Sequence, residues 1–415
     1  MGLDFRTTDP TTADLEAWRE NIALVFHDAR PATPERLATQ RPRYAGQRLT
    51  GAWDGDLCVA TFRSWDTTLT VPGGEVTADA VSSVTVRPTH RRRGVLTRLM
   101  TDDLRAAADR GVPVAILFAS EGTIYGRYGY GVATWTTVQE VDLRRAPALR
   151  PDVPDAGRVD VVTPRRLREV MGDVFAAARR PGEIDHFGFW WDESLGLEPA
   201  AGDTPPPVRC VVHSGPDGSP DGYLRYRVEE RWDGPDRRYE SVLHVDELRA
   251  ATPHAYAGLW RYLLGVDLVA TVRLRDAAVD DPLPLLLTDV RAVRREGPND
   301  FQWHRLLDPA AALSARTYER AGTVTFEVVD RAGGWAAGTY TLDASADGSG
   351  TCTRTPDAVA EVTLPVDVLS SVWLGGGDLL ALGRAGLAVE HRDGALALLS
   401  GLLAAAAAPF TRTIF

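Results

Sequence analysis

The chain has 415 residues, 44% hydrophobic and 25% charged, a globular composition too long for one core, which predicts roughly two to four domains. A formal net charge of −11 argues against nucleic acid as the partner and favours cationic ligands through long-range steering. Cys58, Cys210 and Cys352 lie far apart, with no C-x-x-C and no H-E-x-x-H, so neither a disulfide framework nor a metal site is expected.

The N-terminus carries no signal pattern, and Arg6 stands where N-myristoylation requires Ser or Thr. The apolar run 395–410 is too short and alanine-rich to span a membrane, so the cytoplasm is the expected compartment. All 46 Lys and Arg positions are arginine, which excludes a Schiff-base or P-loop lysine.

In chain order, residues 12–27 predict an amphipathic helix, with Thr12 as N-cap and Leu15, Trp18, Ile22 and Val25 on one face. Asp28 follows as a loop acid. Residues 49–65 and 68–71 predict strands around turns at Asp54-Gly55 and Pro72-Gly73-Gly74. Residues 80–86 form a β-branched run that Pro88 ends, and a basic loop Arg91-Arg92-Arg93-Gly94 follows. From Val95, apolar residues at Leu96, Leu99, Met100, Leu104 and Ala107 have helical spacing, and 112–120 predicts the next strand.

That strand-loop-helix-strand unit carries chemistry in its loop. Gly94 permits close backbone approach, the first turn of the helix leaves N–H groups unpaired, and the helix dipole adds positive potential. With arginines beside it, the loop suits a pyrophosphate. It is neither a P-loop nor a Rossmann fingerprint, because both glycine patterns are missing.

Residues 145–158 are proline-rich and predict a linker, which sets domains at 1–145, 146–298 and 299–415. Beyond it, helices are predicted at 164–178 and 255–264, with strands at 208–212, 222–229, 238–245, 269–274 and 285–290. Trp190 and Trp191 read as a core or interface pair. The run from Trp303 to Tyr318 reads as helix, followed by strands at 322–330, 338–342, 351–354 and 359–363. Helices at 367–373, 377–382 and 394–408 complete the pattern.

Two stretches together, PTHRRRGVL (88–96) and ASEGTIYGRYGYG (119–131), resemble the Eis (enhanced intracellular survival) family of GCN5-related N-acetyltransferases (GNAT). The first matches the Arg/Gln-x-x-Gly-x-Gly/Ala loop as Arg91-x-x-Gly94-x-Leu96, where the superfamily prefers a small residue instead of leucine. The resemblance implies an α/β (α+β) chain: tandem GNAT-like domains, the second without a cofactor loop, followed by a domain similar to sterol carrier protein-2. It further implies acetyl-CoA as co-substrate, no metal, and a ring-like hexamer.

By the same resemblance, Arg91, Arg92, Arg93, Gly94, Val95, Leu96 and Thr97 would hold the pyrophosphate, and Ser120 and Glu121 would line the pantetheine. Backbone N–H groups of Val84, Thr85 and Val86 would polarise the thioester carbonyl. Tyr125 would be the general acid. The terminal carboxylate of Phe415, whose pKa of ~3.5 in water rises on burial, would be the base. Tyr128 and Tyr130 read as core. The expected acceptor is an aminoglycoside-like or other cationic small-molecule amine. Protein lysines, or a non-catalytic carrier of apolar ligands, are the alternatives.

Overall fold

The computed structural model describes residues 2–28, 33–146, 148–198, 207–233 and 238–415. Strand β1 (Asp4–Thr7) leads to helices α1 (Asp14–Val25) and α2 (Pro34–Gln40), then to the meander β2 (Arg48–Asp54), β3 (Leu57–Val71) and β4 (Gly74–Val86). Helix α3 (Val95–Asp109) and strands β5 (Val114–Phe118) and β6 (Gly131–Val132) follow.

The middle of the chain runs β7 (Trp135–Asp142), β8 (Arg158–Val162), α4 (Pro164–Ala177), α5 (Gly188–Ser194), β9 (Arg209–Ser214) and β10 (Pro220–Glu229). It continues through the short pair β11 (Trp232–Asp233) and β12 (Arg238–Tyr239), then β13 (Val242–Ala250), α6 (Pro253–Leu264), β14 (Thr271–Ala278), α7 (Leu283–Leu286) and β15 (Val293–Asp300). The last stretch is β16 (Gln302–Leu306), α8 (Pro309–Ser314), β17 (Gly322–Val329), β18 (Gly338–Ala344), β19 (Gly350–Arg354) and β20 (Val362–Pro365). Helices α9 (Val366–Val372) and α10 (Leu379–Arg384), strand β21 (Val389–Glu390) and helix α11 (Ala395–Leu403) close it.

The chain divides into two compact units: Met1–Thr134 with Arg180–Asp185 and Asp300–Phe415, and Trp135–Arg179 with His186–Asn299. The first holds the sheet β1-β2-β3-β4-β5-β16-β6 and the five-stranded sheet β19-β18-β17-β20-β21. The second unit is built on the sheet β15-β7-β14-β13-β10-β9-β8, whose core gathers Leu224, Leu243, Trp260 and Val272. Among the described residues no helix is long and apolar enough to cross a membrane. Nor is there, among them, a group of three or more His, Cys, Asp or Glu that could hold a metal ion.

Helices α1 and α2 cover one face of the first sheet, where Leu15, Trp18, Ile22, Leu37 and Tyr44 pack with Leu49 and Trp53. Helix α3 covers the other, placing Val95, Leu99, Met100 and Leu104 against Phe62, Val81 and Leu117. Burying those stripes supplies most of the helices' stability, at ~25 cal/mol per Å² of apolar surface.

Three local expectations give way to other structure. Thr12 does not cap α1: its hydroxyl donates to the Asp9 carbonyl in the preceding turn, and Ala13 stands at the cap. Residues 285–290 are not a strand: short α7 takes Leu285 and Leu286, opening where Asp281 accepts from Leu283 N–H, and Val290 starts a tight turn that Asp289 caps by accepting from Arg291 N–H. The run beginning at Trp303 is not one helix. Its first residues form β16, antiparallel to β5 from Gln302 opposite Phe118 to Leu306 opposite Val114, and α8 starts only where Asp308 caps Ala311 N–H.

The units exchange at Thr134 and Asp300, set by strand pairing and not by the proline content of 145–158: β7 already pairs with β14 in the second sheet. Strand β16 is fixed by buried polar groups, although Gln302 Nε2 and Arg305 Nε have no partner among the described residues. Arg305 meets Asp330 at 2.7 Å with neither side chain exposed, and also donates to the carbonyls of Leu306 and Ala332. His304 accepts from Trp373 Nε1 at 3.0 Å through Nδ1 and donates to Gln302 Oε1 through Nε2. Burial pushes its pKa down to about 3, so the imidazole stays neutral.

Beside β16, Gly131 lies against α9. A Cβ there would stand 1.9 Å from the Asp367 carbonyl oxygen and 3.0 Å from Ser371 N, both backbone atoms with no freedom to move aside. Gly131→Ala is therefore expected to destabilise the first unit by about 3 kcal/mol or more, read as a lowered first thermal transition. A melting curve matching that of the wild type would refute the close approach.

Candidate functional site

The site begins where the first sheet comes apart. Strand β4 pairs parallel with β5 only from Ala78 to Val81, opposite Val114 to Leu117. Past Val81 it keeps β3 alone, and a bulge between Thr61 and Arg63 absorbs an extra residue, with Ser83 at φ +52. The backbone of Val84, Thr85 and Val86 therefore has a strand partner on one edge only. Thr85 is held in place by its hydroxyl, 2.6 Å from Thr61 Oγ1 and 2.8 Å from Asn21 Nδ2.

Directly after Val86 the chain turns through Pro88–His90 into the basic loop. Arg91, Arg92, Arg93 and Gly94 are all exposed. Arg92 and Gly94 both take left-handed conformations, φ +63 and +75. A Cβ at Gly94 would meet nothing within 4 Å, so glycine serves the conformation and not the space. Arg91 reaches the Val86 carbonyl at 3.5 Å and Arg93 the Thr89 carbonyl at 3.4 Å; among the described residues none of the three pairs with a carboxylate.

No side chain caps α3 and no acid sits in its first turn. Its first backbone bond runs from Arg98 N–H to the Gly94 carbonyl, which leaves the N–H groups of Val95, Leu96 and Thr97 unpaired among the described residues. Val95 is buried and Leu96 half-buried in the α3 core, so leucine at that position turns into the core instead of blocking the loop. Unpaired donors, a positive dipole end and loosely tethered guanidinium groups are the features that attract an anion.

The second motif turns back onto this helix. Ser120 and Glu121 are exposed at the end of β5. Tyr128 hydroxyl lies 3.2 Å from Thr97 Oγ1, and Tyr130 hydroxyl points at Met100 Sδ at 3.8 Å, so both tyrosines are the core residues their spacing predicts. Tyr125 is 5% exposed, edge-on to Tyr130 at 6.1 Å, and its hydroxyl makes no hydrogen bond among the described residues. Burial first, and Glu121 second, push its pKa up to about 12, so it remains a proton donor throughout the working range.

The last residues return to β3. Phe410 N–H bonds the Pro181 carbonyl, while Gly182 N–H and Glu183 carbonyl pair with Thr70. Segment Arg180–Asp185 thus ties the tail to the outer half of β3. From there Phe410, Thr411 and Thr413 are buried, and the Phe415 ring stands edge-on to Trp65 at 5.3 Å and 79°. Phe415 and Tyr125 share no hydrogen bond or ring contact.

Sequence reasoning passed over Arg63 and Trp65, which face the α1 and α2 side at the head of the split. The Arg63 guanidinium lies over the Trp65 ring at 5.0 Å and donates to Ser82 Oγ at 2.8 Å. A signal was present in the segment Thr-Phe-Arg-Ser-Trp: an arginine inside an otherwise apolar and hydroxyl-bearing strand is out of place unless it has a task.

Family models describe residues 6–133 as an acetyltransferase (GNAT) domain, residues 182–298 as a further acetyltransferase (GNAT) domain, and residues 309–412 as a sterol carrier protein domain. An uncharacterised N-acetyltransferase of Streptomyces griseus is 39% identical over 100% of both chains. N-acetyltransferase Eis of Mycobacterium tuberculosis is 38% identical over 78% of each. Among solved structures, Eis1 from Mycobacterium abscessus matches at a TM-score of 0.82 and 33% identity, covering 100% of both chains. The chain therefore belongs to the Eis family of GCN5-related N-acetyltransferases, two GNAT domains followed by a sterol carrier domain.

Proposed function

We propose that this N-acetyltransferase moves the acetyl group of acetyl-CoA directly onto the amine of a small molecule, with Phe415 as base and Tyr125 as acid. The observation that carries the reading is the parting of β4 from β5 at Val81, beside the uncapped N-terminus of α3. Acetyl-CoA supplies an acetyl group already activated as a thioester. The arginines and N–H groups of 91–97 suit its pyrophosphate, Ser120 and Glu121 suit the pantetheine arm, and the free edge of Val84–Val86 suits its carbonyls.

The Phe415 carboxylate accepts the amine proton as the N–C bond forms. Tyr125 gives its proton to the sulfur as the C–S bond breaks, and is later recharged from solvent. Trp65 holds the aromatic end of the tail, which fixes where that carboxylate can stand. Aminoglycoside-like amines are the first acceptors to test, and the hexamer that the resemblance implies belongs to the same reading.

Arg92→Ala with Arg93→Ala should weaken acetyl-CoA binding by about 150-fold or more in calorimetry, through two charge-assisted contacts of ~1.5–3 kcal/mol each. Unchanged affinity would discard the phosphate loop. Tyr125→Phe should lower turnover about 10²-fold with acetyl-CoA affinity retained; full turnover would return this tyrosine to a packing role.

For the tail, appending two glycines after Phe415 moves the carboxylate but keeps the ring, whereas Phe415→Leu keeps the carboxylate. The extension should reduce turnover more than Phe415→Leu does, with thermal stability near that of the wild type. The reverse order in a thiol-release assay would make the tail a packing element only.

A further inference from the structure

Arg63 is a half-buried cation at the head of the split. It lies on β3 opposite Ser82, at the point where β4 leaves β5. Its guanidinium makes one hydrogen bond, to Ser82 Oγ at 2.8 Å; Nε is buried with no partner, and among the described residues no carboxylate pairs with it. Burial pushes its pKa down to about 10, and the nearby cation Arg19 presses the same way.

Other buried or half-buried arginines of this chain are treated differently. Arg305 pairs with Asp330, and Arg225 with Glu247. Arg316, also pushed down to about 10 by burial, fills its donors with the carbonyls of Thr317, Trp373 and Ala404. One serine hydroxyl leaves Nε of this half-buried guanidinium without a partner and its charge unneutralised among the described residues. A planar fork of that kind matches a carboxylate.

Its place decides whose carboxylate. Arg63, the Trp65 indole and the Phe415 ring follow one another at 5.0 and 5.3 Å, so the idle guanidinium lies one aromatic ring away from the residue assigned as base. Resting on the acetyl-transfer reading above, we propose that Arg63 binds a carboxylate of the acceptor, so that amino-carboxylate compounds are among the acceptors. The net charge of −11 acts on the approach of cations to the whole surface.

The test compares L-phenylalanine, 4-aminobutanoate and 6-aminohexanoate with their carboxamides as acceptors, for the wild type, Arg63→Met and Arg63→Lys. Differences in amine basicity cancel when the acid-to-amide ratio of kcat/KM is compared between proteins. For at least one pair, that ratio should fall about tenfold or more in Arg63→Met and be largely kept in Arg63→Lys. A ratio equal within twofold in all three proteins, or a wild type that acetylates amines but no amino acid, overturns the inference while leaving acetyl transfer intact. If no amine is acetylated, the acetyl-transfer reading fails by itself. Calorimetric titration of the same acids and amides into the CoA-loaded wild type then still decides: equal affinity for acid and amide removes the anion site.

Discussion

Past Val81, strand β4 has one neighbour too few. A strand inside a sheet satisfies its N–H and C=O groups on both edges, and leaving one edge bare is costly unless water or a ligand takes the place of the missing strand. Here the bare edge is built in: the bulge at Ser83 turns β4 away from β5, and β5 takes β16 as its other partner. The basic loop and the tyrosine-glycine turn lie close to that gap along the chain. The basic loop leaves the end of β4, α3 starts with unpaired N–H groups beside it, and the Tyr125 turn is tied to the first turn of α3 through Tyr128 and Thr97.

Charge is handled in three ways within one unit. Arg305 and His304 are buried, paired and inert, and they hold β16 in register. The arginines at 91–93 are exposed and loosely tethered, free to follow a mobile anion. Arg63 is half-buried and meets no carboxylate among the described residues, and a cation held in that way discriminates between acceptors more sharply than a fully exposed one.

Much of this was legible in the sequence because local rules and tertiary context agreed. Gly94 is forced by a left-handed cap, the spacing Leu99, Met100 and Leu104 is forced by the sheet beneath α3, and the tyrosine-glycine motif is forced by tight turns over that helix. What was not legible depends on partners distant in sequence. Trp303–Leu306 has no strand identity of its own; it becomes one because β5 and β6 offer two open edges. Thr12 has the chemistry of a cap, but Asp9 draws it into a turn. Arg63 looks like any surface arginine until the bulge at its position and the absence of a nearby acid are known.

The insertion of β16 also shapes how the protein can be made. Until residues 302–306 leave the ribosome, β5 presents the sequence Val-Ala-Ile-Leu-Phe on an open edge, an uncharged apolar segment of the kind that templates cross-β pairing. The whole middle unit is synthesised first, an interval on the order of ten seconds or more at ordinary elongation rates. The N-terminal acetyltransferase domain is therefore a poor candidate for excision. Its solubility as a fragment depends on a strand encoded far downstream.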